Sequence, residues 1–203
     1  MRGEVWVQSD WTGGPWQNDW SDSTRFHALQ MVRYWFPGEI SPAPWRMVYD
    51  FTPEPGPDEG AWLYVGRDGC VYAGVGNGSS LPRVYRSCDG GETWWMTSLF
   101  HYGPAWVSGL TMFPDSTLYV LVCNPVPVRA YLYKTEDAGT TWVIVDTVGR
   151  AGGLWSFGDT LYTIALAKLV LRSYDGGVSW DTAVMQVTDT AAICDLCRLS
   201  DSL

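Results

Sequence analysis

Charge is scarce in this chain: Asp, Glu, Lys and Arg make up 17% of its 203 residues. That scarcity argues for turn and sheet surfaces over amphipathic helices, whose outer faces need charged side chains. Positive charge is scarcer still. A net charge of −9 leaves no surplus to neutralise phosphates or to hold an anionic bilayer, which excludes nucleic acid and charged membrane surfaces as partners. No apolar run reaches the length of a membrane span, so membrane insertion is not expected. The residues after Met1, Arg2 to Asp10, lack the apolar stretch of an export signal. His27 and His101 are far apart, and a zinc site would want a second Cys/His pair, so neither a metal nor a cofactor is expected. Five cysteines, at 70, 88, 123, 194 and 197, leave at least one unpaired. Cys194-x-x-Cys197 falls in a predicted strand, away from the helix start where a redox pair gains thiolate stabilisation, so buried free thiols are expected.

What the chain has in abundance is aromatic and turn residues. Its 13 Trp and 11 Tyr favour pleated surfaces. An eight-residue pattern recurs three times: Ser87-Cys88-Asp89-Gly90-Gly91-Glu92-Thr93-Trp94, Thr135-Glu136-Asp137-Ala138-Gly139-Thr140-Thr141-Trp142 and Ser173-Tyr174-Asp175-Gly176-Gly177-Val178-Ser179-Trp180. Each follows a basic residue, Arg86, Lys134 or Arg172. The Asp-to-Asp intervals of 48 and 38 residues are the period of stacked supersecondary units. In such a turn the Asp accepts backbone N–H bonds, Gly takes a positive φ, the hydroxyls add side-chain bonds and the Trp opens the returning strand with a large buried surface.

These residues resemble the Asp-box, or bacterial neuraminidase repeat, of sialidases and other secreted propellers. The resemblance implies an all-β fold, a β-propeller of four-stranded antiparallel blades. It makes Ser87, Asp89, Gly91, Thr93, Trp94, Thr135, Asp137, Gly139, Thr141, Trp142, Ser173, Asp175, Gly177, Ser179 and Trp180 structural fasteners between third and fourth strands, away from any catalytic face. Strands are predicted over 61–66, 70–76, 83–89 and 93–99, over 106–113, 117–124, 131–137 and 141–148, and over 152–158, 160–166, 169–175 and 179–187. Tyr72, Tyr119 and Tyr162 occupy equivalent second-strand positions, 17, 18 and 13 residues before the turn Asp, so the third unit has a shortened loop between its second and third strands.

About three complete blades with flanking strands make a partial propeller, since closed ones take about four to eight. Residues 46–203 are read as these blades, stopping within a further unit that starts at Ala191, and Trp45 to Phe51 as the outer strand of a preceding one. A truncated gene, an excerpt or an open propeller that pairs with another chain would each explain the ends. Residues 1–45 form a distinct Trp/Gly-rich segment, weakly similar to the mature N-termini of large exported bacterial proteins. Its tryptophans are read as a strap capping an open apolar edge, with Trp11, Trp16 and Trp20 as the alternative platform for a sugar ring.

Sialidases of this resemblance carry an Arg-Ile-Pro motif, three arginines for the sugar carboxylate, a Tyr/Glu pair and an acid Asp. No Arg-Ile-Pro occurs here, and Arg25, Arg33, Arg46, Arg67, Arg83, Arg129, Arg150 and Arg198 have no spacing that singles out a triad. A glycosidase needs two carboxylates about 5 to 9.5 Å apart. Asp58, Glu59, Asp68 and Asp115 fall in predicted turns, where turn formation explains them. Asn77-Gly78-Ser79 fits a glycosylation sequon. The expectation is a non-catalytic, secreted or cell-surface propeller that binds a glycan or an extracellular protein. A part of a sialidase-like glycoside hydrolase is the alternative, and a protein-binding propeller like the photosystem assembly factor or sortilin a third reading.

Overall fold

The computed structural model describes residues 2–8, 28–35, 46–50, 60–76, 81–99, 103–125, 128–166, 168–185 and 196. Every regular element among them is a strand. Three four-stranded antiparallel sheets follow one another along the chain. The first contains β4 (Gly60–Val65), β5 (Val71–Gly76), β6 (Arg83–Ser87) and β7 (Trp95–Leu99) in that order. The second contains β8 (Trp106–Met112), β9 (Leu118–Asn124), β10 (Arg129–Thr135) and β11 (Val143–Thr147). The third contains β12 (Ala151–Phe157), β13 (Thr160–Ala165), β14 (Leu169–Ser173) and β15 (Asp181–Met185). These are the expected blades, and the fold is that of a β-propeller. Their fourth strands start one residue after Trp94, Trp142 and Trp180, because those tryptophans still belong to the turns.

Strands β1 (Arg2–Gln8) and β2 (Ala28–Trp35) pair with each other, and β2 pairs with β3 (Arg46–Asp50), so one antiparallel ladder runs across residue 45. The period-two run Glu4-Val5-Trp6-Val7-Gln8 suits a half-buried strand, and the partner lies far enough along the chain to hide the pairing from local reading. Trp11, Trp16 and Trp20 lie outside the described residues, as do His27, His101, Asp58, Glu59, the Asn77 sequon, Cys194, Cys197 and, apart from Leu196, the strand expected from Ala191.

Register is repeated from blade to blade. Tyr72 stands opposite Arg86, Tyr119 opposite Lys134 and Tyr162 opposite Arg172, so the basic residue before each turn always faces the second-strand tyrosine. The unequal spacings are absorbed where β5 meets β6, β9 meets β10 and β13 meets β14. A bulge recurs in every third-to-fourth strand pairing, at Val84/Tyr85, Leu132/Tyr133 and Val170/Leu171, and adds twist to each outer strand.

Strand alternation explains the core. The side chains of β9 divide between two interfaces: Leu118, Val120 and Val122 pack with Tyr72, Val84 and Leu110 toward the first blade, whereas Tyr119, Leu121 and Cys123 pack with Leu132, Leu154 and Leu161 toward the third. A strand covered on both faces reads as a continuous apolar run, as Leu118-Tyr-Val-Leu-Val-Cys123 does. The first strands of successive blades touch, β4 against β8 and β8 against β12, and line the hub. Thr111 and Ser156 join β8 to β12 through a hydroxyl pair at 2.6 Å, and Ser156 donates to the Met112 carbonyl at 3.2 Å.

Candidate functional site

Antiparallel order sorts the connections between two ends of the molecule. The first-to-second and third-to-fourth strand turns share one end, and the remaining loops share the other, about 20 Å away along a seven-residue strand.

At the turn end, the three repeats adopt one hydrogen-bonded arrangement. In the second, Thr135 Oγ1 donates to Asp137 Oδ1 at 2.7 Å and accepts from Gly139 N at 2.9 Å. Asp137 Oδ1 then accepts from Thr141 N at 2.8 Å and Oδ2 from Thr141 Oγ1 at 2.7 Å. Ser87, Asp89, Gly91 and Thr93 make the equivalent four bonds, and so do Ser173, Asp175, Gly177 and Ser179. Trp94 and Trp142 close their turns by donating from Nε1 to the carbonyls of Gly91 and Gly139. Trp180 departs from this. Its Nε1 is buried with no hydrogen-bond partner among the described residues.

All these bonds span four residues or fewer, which is why the motif was readable locally. The hydroxyl and N–H of Thr93 hold Asp89 at a pKa of about 2, and the N–H and hydroxyl of Thr141 do the same for Asp137. Ser179 pushes Asp175 down further. Such carboxylates are fixed as anions and acceptors. The three tryptophans are half-buried, less than the large buried surface expected of them: Trp142 and Trp180 pack on the clusters between blades, and Trp94 packs on Ala73, Val75 and Tyr85 of its own blade. Trp95, one residue on, is 44% exposed.

The second and third turns also dovetail with the preceding blade. Gly139 has φ +94° and lies so close to Thr97 that a Cβ would come within 2.5 Å of it. Gly177, at φ +95°, would bring a Cβ within 2.2 Å of Leu132. Glycine here satisfies both a backbone conformation and a close approach.

The remaining turn carboxylates serve their own hairpins. Asp115 accepts from Thr117 N at 2.9 Å. Asp68 accepts from Cys70 N at 3.1 Å, Tyr72 Oη at 2.7 Å and Arg86 Nη2 at 3.1 Å. Burial opposes its charge, but these bonds together hold Asp68 below its ordinary value, while burial and the Asp68 bond raise Tyr72. Beside this cluster Cys70 and Cys88 form a disulfide, which corrects the free-thiol expectation for both. The pairing follows from register: Val71 stands opposite Ser87, so the residues just beyond them meet. Cys123 is the free, buried cysteine among the described residues, its thiol raised by burial and donating to Ala151 O at 3.0 Å.

The loop end holds a cavity of about 380 Å³, which the sequence reading missed. Trp62 of β4, Trp106 at the start of β8, Arg129 at the start of β10, Arg150 just before β12, and Gly152 and Ile164 form much of its wall. The arginines gave no triad by spacing, yet the structure brings two of them, 21 positions apart, to one opening. No Asp or Glu lines the cavity among the described residues. The described residues contain no cluster of three His, Cys, Asp or Glu able to hold a metal, and no helix long and apolar enough to cross a membrane.

No protein-family model matches the chain, and no curated protein matches it. Solved structures do. A nidogen/laminin complex is similar at TM-score 0.54 and 15% identity over 80% of this chain and 57% of that one. A protein of unknown function from Dyadobacter fermentans is similar at TM-score 0.53 and 16% identity, over 85% of this chain and 62% of its own. A Hadza microbial sialidase is similar at TM-score 0.51 and 16% identity, over 79% of this chain and 41% of its own. The chain therefore spans less than two thirds of the length of each. Identities this low establish the shared fold alone: this chain is built as a β-propeller.

Proposed function

We propose that this chain belongs to a secreted or cell-surface β-propeller that binds a glycan or an extracellular protein without chemistry of its own, and that its three repeat turns are Asp-boxes acting as blade fasteners. The observation that carries this reading is the loop-end cavity, whose described wall offers aromatic and cationic groups and no carboxylate. Glycosidic hydrolysis needs a carboxylate pair flanking the bond. The carboxylates of Asp89, Asp137 and Asp175 are committed to their turns at the opposite end. The Cys70–Cys88 disulfide supports an oxidising compartment.

The test is to offer the purified protein fluorogenic sialosides and plant glucans while screening glycan arrays and extracellular proteins for binding. Binding without turnover is expected. Turnover that disappears when one Asp or Glu is neutralised would overturn the reading in favour of a glycoside hydrolase. Binding abolished at Trp11, Trp16 or Trp20, and indifferent to Gly152→Phe in the cavity wall, would move the site from the cavity to the N-terminal segment.

A further inference from the structure

The cavity carries charge that the described residues do not neutralise. Arg129 and Arg150 are both exposed and both line it. Ala130 N donates to Gly149 O at 2.7 Å and Val148 N to Ala130 O at 2.8 Å, which holds these two segments side by side and puts Arg129 and Arg150 at neighbouring backbone positions on the cavity wall. Neither guanidinium has an ion-pair or hydrogen-bond partner among the described residues, in contrast to Arg86 with Asp68 and Lys134 with Glu136. Two neighbouring like charges repel, and an anion placed between them relieves that repulsion while accepting from both forks.

The rest of the wall is apolar. Trp62 is 42% exposed and presents a broad ring surface, Trp106 and Ile164 continue it, and the Cys123 thiol is already committed to Ala151 O. A Cβ on Gly152 would meet nothing within 4 Å, so space remains open in front of the strand. A volume of about 380 Å³ lies at the small-ligand end of the usual range for binding cavities. Hydroxyl-rich molecules would lose water against the apolar part of this wall without regaining hydrogen bonds there, and a planar carboxylate matches the guanidinium fork.

We infer that this cavity takes a carboxylate carried on an apolar body, with the carboxylate on Arg129 and Arg150 and the apolar body against Trp62 and Trp106. The inference rests on the binding reading above and names the ligand class of the same site.

Calorimetric titration with 4-phenylbutyrate and its neutral amide tests it, with N-acetyl-Gly-Gly-Phe as free acid and amide for the same chemistry at a chain end. The acid should bind about tenfold or more tightly than the amide, the strength of a charge-assisted pair. Arg129→Gln and Arg150→Gln should each remove most of that difference while leaving the weak binding of the amide unchanged. Gly152→Phe should abolish binding of every probe with its thermal midpoint preserved. Stronger binding of phenylbutyrate than of the tripeptide acid would identify a free small acid as the source, and the reverse a chain end. Equal binding of acid and amide, tighter binding of N-acetylneuraminic acid than of phenylbutyrate, or no binding of either acid would overturn the inference. A neutral glycan or protein that binds wild type and fails on Gly152→Phe would overturn the anion assignment yet leave the binding module standing. Carboxylate-dependent turnover would instead overturn the binding module.

Discussion

Replacing Gly177 by alanine tests whether the repeat turns lock one blade onto the last. Two separate penalties are built into the site. The residue has φ +95°, where an L side chain costs about 1–2 kcal/mol. The new Cβ would also fall 2.2 Å from Leu132 Cδ2 and 3.4 Å from Leu161 Cδ1. Leu132 and Leu161 are both fully buried in the interface between second and third blades, so neither can turn into solvent, and overpacking there costs about a further 1–3 kcal/mol. Gly177→Ala should therefore destabilise by about 2–5 kcal/mol in urea unfolding followed by tryptophan fluorescence, lowering the thermal midpoint by about 5 °C or more. Gly69→Ala supplies the control, since Gly69 has φ +79° but a Cβ there would meet nothing within 4 Å. It should show the backbone penalty alone. Combining Gly177→Ala with Leu132→Ala should cost less than the sum of the two single changes, because the second makes room for the first. Equal losses for Gly177→Ala and Gly69→Ala, together with strict additivity in the double variant, would refute the dovetail.

Reduction of Cys70–Cys88, or Cys88→Ser, should lower stability by about 3 kcal/mol, since the bridge closes a loop of sequence separation 18; an unchanged unfolding midpoint with and without reductant would contradict it. The turn aspartates supply a pH dependence whose sign follows from their depressed values, about 2 for Asp89 and Asp137 against an ordinary 3.8. Their contribution is fully present above pH 3.8 and is lost as pH falls toward 2, so the thermal midpoint should drop through that window and Asp137→Asn should flatten part of the slope. A variant that keeps the whole wild-type slope would show that the carboxylate is not held as argued.

The division between local and distant interactions explains how far the chain could be read without its structure. The three turns were legible because Ser87 to Thr93, Thr135 to Thr141 and Ser173 to Ser179 satisfy one another within a few residues, and sequence spacing is enough to specify such bonds. Most strands were legible because apolar runs such as Leu118 to Cys123 are bounded by turn residues. Both cysteines of the disulfide were visible, but their pairing depended on the register of β5 against β6. The loss of a hydrogen bond at Trp180 was equally invisible, since its turn has the same residue types as the other two. The cavity lay furthest out of reach. Its wall takes Trp62, Trp106, Arg129, Arg150 and Ile164 from five separate stretches spread over three blades, none of them a motif by itself. The sequence by itself determined the repeating blade and the turn that fastens it, through contacts a few residues long. Only the tertiary structure decided which side chains share a surface, because that depends on how whole blades stack around the hub.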